Sequence, residues 1–397
     1  MSGLDEVMAD DFDSENEYIQ TKAYLSKDLI EKMRHQLKNF IVPKGVTRLP
    51  SRIGTAQNGK LKANEWSVMF EVYLPLIVLD LFWDLGPKKN LLLINVGALI
   101  QCTKIVGARS ITQKDADMFS QSYANYQNSS NILFPNIRIT PNHHYSMHIP
   151  QQLMRWGPLN GISEYGGERL VGLLQKFKSN SLSGSIEETM MKKFGQLQKL
   201  QHIKPKIPAF WSRSSIASPK NRKELDKASY LQLLHHLQEK NPELRHYDDL
   251  PHPQNSRVLQ NYVVEHLYVL WRFGLKISRN SPNNLVYVKK GDSNIEFGKI
   301  AHIISLRDDK VHEGPLIMVQ WLESIKEREE GFEDVELFLV EWNIKHLRLK
   351  NHHSYVSISE ISGLGAYLNL PAWSLGYKDV SIIACPINKC VGLEQFN

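Results

Sequence analysis

The hydrophobic period of this chain changes once, close to the run Ser278-Arg-Asn-Ser-Pro-Asn-Asn284. Before it, from about Leu25 to Phe273, apolar residues recur mostly at helical spacing. After it, they fall in short runs bounded by turn residues. A chain that switches period in this way is expected to be α+β, with a mostly helical N-terminal two-thirds and a small all-β, barrel-like C-terminal module. The boundaries read as an acidic leader over 1–20, a helical domain over 21–275 and a β-rich module over 280–397. With 397 residues, 42% of them apolar, the chain can bury cores of that size.

Within the helical part, Ser26 is the candidate cap of a helix carrying Leu29, Ile30 and Met33 on one face. Ala63 to Trp83 is expected to be a second helix, kinked or broken at Pro75. Leu91 to Val106 is apolar almost all round and reads as a buried helix. Gln113 to Phe134 is amphipathic. Ser185-Ile-Glu-Glu188 is a capping box that opens a helix to Ile203, with Ile186, Met190, Phe194 and Leu197 as its apolar stripe. Lys204 to Asn221, with three prolines, reads as a linker; Tyr230 to Gln238 and Val258 to Phe273 read as helices. Strands are expected at Leu285 to Lys289, Glu296 to Ser305, Leu316 to Leu322, Val335 to Leu339, Ile344 to Leu349, Val356 to Ile358 and Ile382 to Ile387. Trp321, Phe338 and Trp342 are placed in the core of the β module, with a groove lining as the alternative.

The three cysteines, Cys102, Cys385 and Cys390, include no Cys-x-x-Cys pair, which argues against a disulfide scaffold or a Cys-rich zinc module. Met1 to Glu17 holds seven acids and no Lys or Arg, and reads as a disordered acidic leader rather than a targeting peptide. The apolar stretches are too short to span a bilayer, so no membrane partner is expected. Net charge is +6 despite the leader, leaving the remainder basic enough for a polyanion such as nucleic acid.

The segment richest in chemistry runs from Pro141 to Lys176. His144 and His148, at i and i+4, share a helix face and can ligate one metal ion; the bland reading is a pair of surface histidines bonded to their neighbours. His-x-x-x-His here lacks the Glu that a zincin uses as its base. Glu168 follows a Gly-Gly pair and opens an apolar helix, where a carboxylate also serves as a plain cap. Glu164 is equally placed by that argument. Arg155, Arg169, Lys176, Lys178, Lys192 and Lys193 lie around the same block and suit phosphate contact, or an ordinary solvated face.

Three stretches carry a resemblance: Arg48-Leu-Pro-Ser-Arg-Ile-Gly54 with Asn58 to Trp66, the Pro141 to Lys176 block, and Ile186 to Phe194. They resemble fungal cut-and-paste DNA transposases of the CACTA (En/Spm) type, and the β-rich tail around Phe297 and Ile382 is similar more loosely. The resemblance implies the C-terminal remnant of an RNase H-like nuclease with a helical insertion, whose Asp-Asp-Glu triad binds two Mg²⁺ or Mn²⁺ ions. It implies Glu168 as the Glu, twenty residues after His148, and His144 and His148 as a zinc-binding pair, with His143 as alternate first ligand. It further implies DNA as partner, alone or with a full-length transposase or another nuclear protein, and the nucleus as location. The two Asp and the Cys-x-x-Cys of such enzymes have no counterpart here; Asp80 and Asp84 lie on a helical pattern. The expectation is therefore a transposase-derived DNA-binding protein without standalone catalysis. The alternatives are a subunit completed in trans by an N-terminal partner and a protein-interaction module.

Overall fold

The computed structural model describes residues 27–55, 60–83, 87–136, 138–162, 165–176, 185–203, 222–254, 256–271, 275–291, 294–306, 311–312 and 314–387. The acidic leader, the Ser26 cap, Asp84, Lys178, the linker over 204–221 and Cys390 lie outside them. Among the described residues, nine α-helices come first: α1 (Lys27–Asn39), α2 (Ala63–Val68), α3 (Leu74–Phe82), α4 (Pro87–Val106), α5 (Gln113–Leu133), α6 (Pro141–Ser146), α7 (Ile149–Trp156), α8 (Tyr165–Gln175) and α9 (Ile186–Ile203). A π-helical turn, Met69–Tyr73, joins α2 to α3, so the break expected at Pro75 is a widened turn just ahead of the proline. Thr112 caps α5: its hydroxyl accepts from the Asp115 N–H, and the Asp115 carboxylate accepts from the Thr112 N–H.

Then follow β1 (Arg222–Glu224), α10 (Lys227–Gln238), β2 (Arg245–His246), β3 (Val258–Leu259), β4 (Tyr262–His266), β5 (Tyr268–Trp271), β6 (Leu275–Ser278), β7 (Leu285–Lys290), β8 (Asn294–Ser305), β9 (Pro315–Ser324), α11 (Val335–Glu341), β10 (Lys345–Ser357), β11 (Gly363–Leu370) and β12 (Ser381–Ile387). The large sheet is antiparallel and runs β1-β4-β8-β7-β11-β12-β10-β9. A further β8–β9 pairing closes six of these strands, β7 to β12, into a ring. Leu285 and Tyr287, Phe297, Leu322, Leu347, Tyr367, and Ile382 with Ala384 form one apolar cluster to which every strand of that ring contributes. At Gly365 a Cβ would stand 2.7 Å from Leu285 and 2.8 Å from Phe297, so a side chain there would crowd that cluster.

The largest core is shared by both ends of the chain. Leu37, Val72, Leu76, Leu79, Leu93 and Ile100 from the early helices pack with Val335, Leu339 and Trp342, and with Ala366, Leu368, Ile383 and Cys385 of β11 and β12. Strands β11 and β12 are thus covered on both faces, which is why Ile382-Ile-Ala-Cys385 is unbroken apolar sequence rather than an alternation. Trp342, 1% exposed, lies against Gly97 of α4, where a Cβ would come within 2.7 Å of the indole. A second core seats α10 on the sheet through Tyr230, Leu233 and Leu237 against Leu259, Val263, Met318 and Tyr355. A third, satellite core joins Cys102 and Ile105 of α4, Phe119 and Tyr123 of α5, and Leu153 of α7.

Three expectations about elements are corrected. Val258 to Phe273 is not a helix: Val258 to Trp271 forms β3, β4 and β5, as suits its β-branched and aromatic residues, and β4 pairs with β1 and β8. Val335 to Leu339 is not a strand but the helix α11, whose inner residues Val335 and Leu339 pack on the helical core. Accordingly Phe338 and Trp342 belong to that interface and only Trp321 packs with the strands, its indole N–H donating to Ser354. Ile344 to Leu349 and Val356 to Ile358 are largely one strand, β10, whose register against β9 shifts between Leu349 and His353.

Candidate nucleic-acid interface

Thr140 and Pro141 start α6. The Thr140 N–H donates to His143 Nδ1 at 3.1 Å, so the imidazole does the work that a Glu does in a common capping box. Tyr123 of α5 donates its hydroxyl to the His143 carbonyl at 2.8 Å and pins α6 to the satellite core. The chain turns at Met147 and His148, and Pro150 stands in the first turn of α7. Leu153 anchors α7 at 1% exposure; Gly157, at φ 77°, follows its end.

His144 therefore sits on α6 and His148 in the turn that leads into α7, rather than both on one helix, yet they remain adjacent. Their Nε2 atoms are 3.4 Å apart and their rings cross at 82°. With bonds of about 2.0–2.1 Å, a tetrahedral zinc ion spans ligand nitrogens roughly 3.4 Å apart, so the pair has the bite of such an ion. His148 Nδ1 lies 3.3 Å from the Gln151 amide oxygen; donation there leaves the Nε2 lone pair outward. Both rings are exposed. Among the described residues, no group of three or more His, Cys, Asp or Glu is placed to hold a metal ion.

Glu168 and Arg169 fall in the first half of α8, with their side chains outside the described ones. The geometry that would join Glu168 to the imidazole pair therefore also lies outside the described residues. Arg155 is exposed on α7, its guanidinium 5.0 Å from the Trp156 ring. Lys176 is exposed just past α8. Lys192 is exposed and Lys193 half-buried on α9, whose first turn carries Glu187 and Glu188. Asp80 accepts from the Gln36 side-chain amide on the surface of α3.

Two other polar clusters were not anticipated, and neither behaves as a reaction centre. His346 is buried, and burial first, then the Arg328 charge, push its pKa down to about 3. Arg328 donates to its Nδ1 at 2.8 Å, so Nε2–H donates to Ser381 at 2.8 Å. That tautomer is the reverse of the one a base needs to activate the serine. Glu265 on β4 accepts from Arg279 at 2.8 Å and His302 at 2.5 Å. Burial raises its pKa, but the His302 hydrogen bond and the Arg279 and Lys223 charges outweigh burial and hold it below the usual carboxylate range. A saturated carboxylate of this kind ties strand to strand.

Sequence reasoning also passed over the aromatic side chains of this region. Tyr145 and Trp156 are 64% and 57% exposed. The sequence marks the region only by its charge, having no Asp or Glu between Asp117 and Glu164; which rings are exposed is set by packing.

No protein-family model, curated protein or solved structure matches this chain. No described helix is long and apolar enough to cross a membrane.

Proposed function

We propose that this chain is a nuclear, transposase-derived DNA-binding protein, a remnant of a CACTA-type element that binds DNA without cutting it. In this reading the six-stranded ring is a small barrel that supports the helical part. The observation that carries it is the exposure of three cations in the segment that carries the resemblance and the helix after it: Arg155 on α7, Lys176 just past α8 and Lys192 on α9. Cations on exposed faces neutralise phosphates and release counterions, which gives sequence-independent affinity that falls steeply with salt.

The test is retention of duplex DNA by the full chain across a salt series. Binding is expected without divalent metal. Lys192→Glu with Lys193→Glu is expected to lower both affinity and the slope of log affinity on log salt, by about 1 for each phosphate no longer neutralised. Salt-insensitive or absent binding would end this reading. Metal-dependent nicking abolished by Glu168→Gln would replace it with an active subunit.

One observation favours that second reading, a subunit completed in trans: the 3.4 Å separation of the His144 and His148 Nε2 atoms suits a zinc ion with further ligands from another chain. In that case Glu168 would supply one carboxylate of a two-metal centre, with the two Asp brought by the partner.

A further inference from the structure

We propose that the face formed by α6 and α7 takes unpaired nucleobases, stacked on Tyr145 and Trp156, so that this protein binds single-stranded DNA there. The inference rests on the DNA-binding reading above and names the form of DNA that this surface suits.

Three observations carry it. First, the surface has no carboxylate of its own, since no Asp or Glu occurs between Asp117 and Glu164, so nothing within this stretch repels a phosphate. Second, its cations are few: Arg138 and Arg155 are the only Lys or Arg residues between Lys114 and Arg169. Such a face has too little charge to hold a duplex by its backbone alone. Third, what it exposes instead are flat rings and amides, Tyr145 and Trp156 with His144, His148 and Gln152, beside the thioethers of Met147 and Met154, which also pack on flat rings. A base offers a π-face to the rings and hydrogen-bonding edges to the amide and imidazoles, and in a duplex both are occupied by neighbouring bases.

The placement is firm where it matters. Leu153 in the satellite core and the Tyr123–His143 hydrogen bond fix the two helices, so the backbone that carries the rings needs little ordering on binding. Because the Arg155 guanidinium lies 5.0 Å from the Trp156 ring, the phosphate next to a base stacked on that indole meets a cation.

The experiment uses the full chain, with an oligothymidylate and a duplex of equal length, followed by fluorescence anisotropy. Tyr145→Ala and Trp156→Ala are each expected to weaken single-strand binding about 5-fold to 100-fold, with duplex binding and salt slope near wild type. Tyr145→Phe, which keeps the ring, is expected to bind as the unaltered chain does. Independently of any variant, photo-crosslinking of an iodouridine oligonucleotide to the unaltered chain is expected to label the peptide spanning residues 144–156. If crosslinks fall only elsewhere, or the alanine variants bind single strands normally while the duplex still binds, this inference is overturned and the DNA-binding reading survives. If neither form of DNA binds, the DNA-binding reading fails first and this one with it. The face would then be left to a protein partner.

Discussion

Lys104 offers the sharpest test of the packing between the early helices and the late strands. It lies near the end of α4 and donates its ammonium to the Trp342 carbonyl. The residue keeps some exposure along its stem, but the amine end is enclosed. Burial pushes its pKa down to about 8, partly offset by Cys385 and Glu71. Below pH 8 the amine is charged both folded and unfolded, and the fold bears the whole cost of enclosing the charge. Between pH 8 and about 10.4, the ordinary lysine value, the unfolded chain holds a proton that the folded chain has released. Stability must therefore rise with pH across that window, by about 1.4 kcal/mol per unit and about 3 kcal/mol in all. Urea unfolding of the wild type and of Lys104→Met at pH 7.5 and 10.5 isolates this contribution, because other titrating groups cancel in the difference. The variant is expected to gain on the wild type by about 3 kcal/mol at the lower pH relative to the higher. Equal differences at the two values would refute the enclosed-amine argument, whatever the absolute stability of the variant.

The remaining predictions concern the same core and its neighbour. Gly97→Ala should gain up to about 1 kcal/mol from helix propensity yet still destabilise, because the new methyl meets the Trp342 ring at 2.7 Å and overpacking costs about 1–3 kcal/mol; thermal unfolding shows the sign. His346, neutral in the fold with a pKa of about 3, should give stability that is full above pH 6.5 and falls by about 1.4 kcal/mol per unit as the pH drops toward 3. His346→Gln retains a donor and an acceptor and should flatten that part of an acid-unfolding curve.

Legibility from sequence followed local signals. Thr112-Gln-Lys-Asp115 and the apolar spacing after it specify α5 by themselves, and the short β-branched apolar runs bounded by turn residues mark β8 and β9. Val258 to Phe273 misled because a short apolar run fits either period, and pairing with β1 and β8 decides it. Val335 to Leu339 misled for the opposite reason: docking on the early helices makes a helix of a run too brief to declare one. Gly363 to Leu370 carried too little contrast to mark β11, since a strand covered on both faces has no polar side. At the candidate interface, the His144–His148 adjacency was legible from spacing alone, although α6 ends between them and His148 lies in the turn before α7. The exposure of Tyr145 and Trp156 was not, because it depends on which side of α7 Leu153 turns inward.

The core shared by early helices and late strands has a consequence for how the chain is made. Residues of α1 to α4 leave the ribosome roughly 260–360 residues before β11 and β12 are available to cover them. At roughly 5–20 residues per second that is an interval on the order of tens of seconds. Through it, the apolar sides of Leu76, Leu79, Leu93 and Ile100 stand uncovered. Those helices are natural clients for a chaperone that grips nascent chains, and the arrival of β11 and β12 is what releases them.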